Sequence, residues 1–159
     1  MTKPKKPSRA VHRGFSMLEM VGVIAIAGSV SATALPHLID LPGEARVSVV
    51  KGLHGAVRTA SSLTHMACAV RDDCSLNAGT STVVASGSQV ILLRGYPQGG
   101  DPAGIENALD FDGFTPVRLE HKTIFQKDGA PAAETCAVTY ASPQADGDAP
   151  TITMDTEGC

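Results

Sequence analysis

The chain has 159 residues, one domain's worth by length, and with four Phe, two Tyr, no Trp and sixteen Gly its core must be modest and built of small aliphatics. The net charge of −3 hides an asymmetry: Lys3, Lys5, Lys6, Arg9 and Arg13 crowd the first 14 residues without an acid, leaving 8 basic against 16 acidic side chains in the rest. So acidic a body argues against polyanion binding, and no nucleic acid is expected as a partner; a basic cluster beside an apolar run reads as a membrane-topology signal.

In chain order, the first element is the basic leader, residues 1–14. From Phe15 to Leu35 the sequence carries one ionisable side chain, Glu19, and as a helix it is about 31 Å long, enough to cross a bilayer core. The basic flank places the N-terminus in the cytoplasm and the remainder outside. Gly22, Ala25, Ala27, Gly28, Ser29, Ser31, Ala32 and Ala34 are small enough to let helices approach closely. The stretch SATA, residues 31–34, also passes for the cleavage site of a secretory signal, although the apolar run is longer than such signals use.

Beyond Pro36 the pattern stays helical. Ala45, Val49, Leu53, Ala56, Ala60, Leu63 and Ala67 recur at spacings of three and four and predict one apolar stripe. Asp40 can cap a restart of this helix, with Pro42 tolerated in its first turn. The segment from Phe15 to about Met66 therefore predicts one long, imperfect helix, weakened in its middle by Gly28, Pro36, Pro42 and Gly43.

After Cys74 the signal changes to short β-branched runs, STVVAS and QVILLR, then the turn-rich connector YPQGGDP. AGIENALDF predicts a helical turn or two, FTPVRLEHKTIF alternates in part, and CAVTYA and TITMD flank the loop SPQADGDAP. The expected fold class is α+β, with the long helix laid over a small antiparallel sheet of three to five strands. The four cysteines allow three pairings. Cys68–Cys74 with Cys136–Cys159 is preferred, because it closes a short turn and separately ties the last strand to the sheet. Cysteines used in this way suit a protein exported from the cytoplasm.

Enzymatic and metal readings are weak, and neither a catalytic residue, a cofactor nor a metal ligand is expected. His54 and His65, eleven apart, could share a helix side with Cys68 and Cys74, but disulfide formation competes for the sulfurs. Ser61 and Ser62 sit in no nucleophile-elbow pattern, and SGSQ at 86–89 lacks the lysine of a phosphate loop. Asp146, Asp148, Asp155 and Glu157 match no calcium-loop spacing and read as solvated surface.

The segment RGFSMLEMVGVIAIAGSVSATALPHLIDLPGEA resembles the N-terminus of type IV pilins and of type II secretion pseudopilins. The resemblance extends over residues 14–70 and, more loosely, the last 25 residues, through GYPQ and the tail CAVTYASPQADGDAPTITMDTEGC, and is closest to the mannose-sensitive haemagglutinin group of pilins. It implies a pilin fold with the leader 1–14 removed, an assembly helix at 15–39 and a globular pilin domain at 40–159. It further implies cleavage between Gly14 and Phe15 by a prepilin peptidase that also methylates the Phe15 amine. Glu19 and Pro36 take the places of the family's assembly glutamate and helix-breaking proline.

By the same resemblance, the chain is a structural subunit of a helical homo-oligomeric filament serving surface attachment. It would wait in the inner membrane as a single-pass protein, then meet an assembly platform and minor pilins before reaching the cell surface. The alternative of a secretion pseudopilin fits less well, since the paired cysteines are present and a calcium-binding C-terminal loop is not evident. A soluble exported binding protein cut after Ala34 is the second alternative.

Overall fold

The computed structural model describes residues 16–159 apart from 40, 78 and 86, with the backbone alone for 33–39 and 41. The chain falls into two compact units, Met1–Leu41 and Pro42–Cys159. The first contributes helix α1 (Met17–Ile39), whose backbone continues through Gly28 and Pro36. Helix α2 (Leu41–Ala69) starts directly after Asp40 and accepts Pro42 in its first turn, where no intrahelical N–H is required. The single helix expected from Phe15 to Met66 is described as α1 and α2 on either side of Asp40; that residue and its expected cap lie outside the described residues.

Among the described residues seven strands make two antiparallel sheets instead of the single sheet expected. β1 (Thr80–Ala85), β2 (Ser88–Leu93) and β3 (Tyr96–Pro97) form the first in that order. β4 (Phe114–Leu119), β5 (Lys122–Lys127), β6 (Ala137–Ala141) and β7 (Thr151–Asp155) form the second, also in chain order. FTPVRLEHKTIF is a hairpin: Leu119 pairs with Lys122 across the two-residue turn Glu120–His121. The expected helical turn in AGIENALDF is a short 3-10 helix, Ile105–Ala108.

β3 exists because the chain reverses tightly at Arg94–Gly95, both at positive φ (55° and 78°), the geometry that suits the twist of a two-residue hairpin. A side chain at Gly95 would also meet Leu76 and His65. At Gly100 a Cβ would collide with the Leu119 carbonyl, so the glycine pair of the connector lets that loop lie flat under the β4–β5 turn.

One helix serves two cores. Val50, Leu53 and Val57 of α2 pack with Phe114, Phe125, Val138 and Tyr140 of the second sheet and with Ile105. One end of the same helix contributes Cys68 to a smaller cluster with Val83, Val90 and Leu92 of the first sheet. The buried face of α2 is therefore Val50, Leu53, Val57, Ala60, Ser61, Thr64 and Cys68. This corrects the expected stripe, of which only Leu53 and Ala60 are buried. Periodicity defines two adjacent helical strips equally well, and contact with Phe114 and Phe125 selects the one carrying Val50 and Val57. Thr64 is tolerated there because its hydroxyl donates to the Ala60 carbonyl at 2.8 Å.

Three polar ties join the sheets of the second unit. The Tyr140 hydroxyl donates to the Pro97 carbonyl at 2.7 Å, and Arg94 Nε donates to Asp146 at 2.7 Å. The Gly100 N–H donates to the buried Thr123 hydroxyl at 2.9 Å. Glu106, 5% exposed at its side chain, receives a two-pronged bond from Arg118 at 2.8 and 2.6 Å, so the carboxylate is not left buried and unpaired.

Candidate functional site

The residues singled out in the apolar segment lie on or beside α1. Gly14 and Phe15, the expected cleavage pair, lie outside the described residues. Glu19 stands in the first turn of α1, where a carboxylate favours the positive end of the helix. Pro36 is within the helical backbone; its missing N–H removes one intrahelical bond at that point.

The surface of α1 is apolar on every side. Met17, Leu18, Met20, Val21, Val23, Ile24, Ile26 and Val30 are 58–90% exposed, and their positions span more than two full turns without leaving a polar face. Ser29 donates to the Ile26 carbonyl and Ser31 to the Ala27 carbonyl, each at 2.8 Å, so both hydroxyls are satisfied within the helix. Gly22 and Gly28 open flat patches, with nothing within 4 Å of where a side chain would begin. Between Met17 and Ala32 the one charge is Glu19. Among the described residues no helix is long and apolar enough to cross a membrane. The side chains described on α1 end at Ala32, short of the roughly 20 residues a bilayer needs, whereas the expected span, 15–39, runs past them at both ends.

The cysteines pair as preferred from the sequence, Cys68 with Cys74 and Cys136 with Cys159, with Cα–Cα distances of 5.2 and 4.8 Å. The first closes the turn that ends α2. The second fastens the segment after β7 beside the start of β6, where the Gly158 N–H donates to Thr135 and Arg46 donates to the Cys159 carbonyl. With its sulfur in a disulfide, Cys68 is no thiolate ligand. His65 is likewise engaged: Nδ1 lies 3.0 Å from the Gly95 carbonyl, so it carries the proton, and the ring stacks on Tyr96 at 4.0 Å. Of the four acids near the C-terminal loop, Asp146 binds Arg94 and Asp155 accepts from the Glu157 N–H. Among the described residues no three or more His, Cys, Asp or Glu stand together as a metal set.

A cleft of about 530 Å³ lies between the β4–β5 turn and the β6–β7 loop and is lined by residues that include His121, Lys122, Gln144 and Asp148. Its serine, Ser142, is buried and bonds the main-chain oxygen of His121, not the ring. Compared with protein-family profiles, curated proteins and solved structures, the chain matches none.

Proposed function

We propose that this chain is the structural subunit of a type IV filament of the mannose-sensitive haemagglutinin kind, polymerising through α1 and serving attachment to surfaces. The observation that carries the reading is the character of α1: a helix apolar all round, internally satisfied at both serines, with one carboxylate in its first turn. Such a surface must be covered by lipid or by other helices. A filament subunit needs both in succession, stored in the inner membrane and then bundled with its copies. The two disulfides suit an exported and mechanically loaded domain. Leu63 and Met66 of α2 and Val70 just after it, exposed at spacings of three and four, offer a further apolar surface to a neighbour.

The test is the mature N-terminus. Mass spectrometry of sheared cell-surface material is expected to find a chain beginning at Phe15 with a methylated amine. Replacing Gly14 by a bulky residue is expected to leave full-length precursor in the membrane fraction. A chain beginning after Ala34 and free in solution would replace this reading with that of a soluble exported binding protein.

A further inference from the structure

The second unit holds a cavity of about 200 Å³ bounded by Arg58, Ser61 and Ser62 of α2, Tyr96 of β3, and Pro150 and Ile152 where the chain enters β7. Arg58, Ser61 and Ser62 stand at i, i+3 and i+4 and so share one helix face. The Arg58 guanidinium has no ion-pair or hydrogen-bond partner among the described residues. Ser61 is 2% exposed, and its hydroxyl makes no bond of full hydrogen-bond geometry. The Tyr140 phenol beside it donates its own proton to Pro97, so the weak contact between the two hydroxyls runs from Ser61 to the phenol oxygen.

Tyr96 is held in place from behind. Its ring lies flat on His65, 7° from parallel, and His65 is anchored to Gly95. No carboxylate lines this cavity, whereas each of the other clefts described for this unit contains at least one Asp or Glu. In a chain with more acids than bases, a cavity that gathers a free guanidinium and three hydroxyls without an acid is selective by charge.

We propose that this cavity binds a small oxyanion, a carboxylate or phosphate group, gripped by Arg58 and oriented by the hydroxyls of Ser61, Ser62 and Tyr96. The planar guanidinium fork matches two oxygens of such a group, and a charged acceptor is a stronger partner for the Ser61 hydroxyl than the neutral Tyr140 phenol. Pro150 and Ile152 supply an apolar wall on one side of the cleft, while Arg58 and Ser62 are exposed. A free anion and a carboxylate carried by a second copy of the chain share this chemistry.

The experiment titrates inorganic phosphate into the full chain in detergent, at constant ionic strength, by calorimetry. Saturable binding is expected, competed by acetate. Arg58→Gln is expected to weaken it by about tenfold or more, since bonds to charged groups are the stronger ones. Lys51→Gln removes the same charge from another part of α2 and is expected to leave binding unchanged. Ser62→Ala, an exposed change that keeps every charge, is expected to weaken binding several-fold and serves if Arg58→Gln fails to fold.

Sedimentation of the same samples identifies the source. If phosphate dissociates oligomers that Arg58→Gln also lacks, the anion belongs to a second copy; if oligomeric state is the same throughout, it is a free solute. Absence of saturable binding to the parent chain, or equal losses in Arg58→Gln and Lys51→Gln, would overturn the proposal.

Discussion

Tyr140 shows how much can hang on one side chain in a core with so few aromatics. It is fully buried, and its hydroxyl ties the second sheet to Pro97 of the first. Burial pushes the phenol well above its ordinary value, while the bond from the Ser61 hydroxyl opposes this. The folded chain therefore holds the Tyr140 proton after the unfolded chain, titrating near pH 10, has released it. A raised folded value means stability is complete below pH 10 and falls as pH rises beyond it, by up to about 1.4 kcal/mol per pH unit from this residue. Tyr140→Phe is expected to cost about 1–3 kcal/mol at neutral pH, because the Pro97 carbonyl loses its donor. It should also flatten the alkaline limb. Thermal melts of both proteins from pH 8 to 11 check this, and parallel curves would mean the phenol does not titrate with unfolding.

Among the elements, the segment following β7 depends most on a single covalent link. Cys136–Cys159 spans a sequence separation of 23, and on a loop-entropy estimate its removal costs about 3 kcal/mol. Cys159→Ser is expected to lower the denaturation midpoint accordingly and to leave Cys136 open to thiol reagents, with the Arg46 contact to the Cys159 carbonyl loosened as well. Reagent labelling with the melting curve is the measurement; an unreactive Cys136 in the variant would count against it. This pairing, the helical character of residues 41–69 and most strand positions were readable in the sequence, because cysteine spacing, apolar periodicity and β-branched runs act locally. The rotation of α2 was not readable, since two strips fit the same periodicity and only Phe114 and Phe125, far along the chain, choose between them. Nor was β3, whose turn puts an arginine at positive φ where Asn or Gly would have signalled it. The cavity proposed to take an anion escaped for a related reason: Ser61 and Ser62 lacked a nucleophile pattern, and Tyr96 joins them only in the fold.

At the scale of the whole molecule, Glu19 and the surface around it set what α1 can associate with. A carboxylate in hydrocarbon costs several kcal/mol unless it is neutralised or paired. In the proposed filament the partner is the Phe15 amine of a neighbouring copy, so subunits docked at the wrong height leave both charges unmatched. Glu19→Ala is expected to insert into the membrane at least as well as the parent and to be cut after Gly14, while sheared-filament yield falls sharply. Asp at this position should restore yield only in part, its reach being one methylene shorter. Full yield from Glu19→Ala, at equal membrane levels and with correct processing, would make the residue dispensable. The back-bonded hydroxyls of Ser29 and Ser31 have a mechanical consequence. Beyond the first turn they leave no spare side-chain donor as far as Ala32, so whatever packs there meets a surface with grip but no latches. In the proposed filament such contacts would shear in small steps and re-form after each, letting it stretch under load without tearing while a sparse charge keeps count of the step.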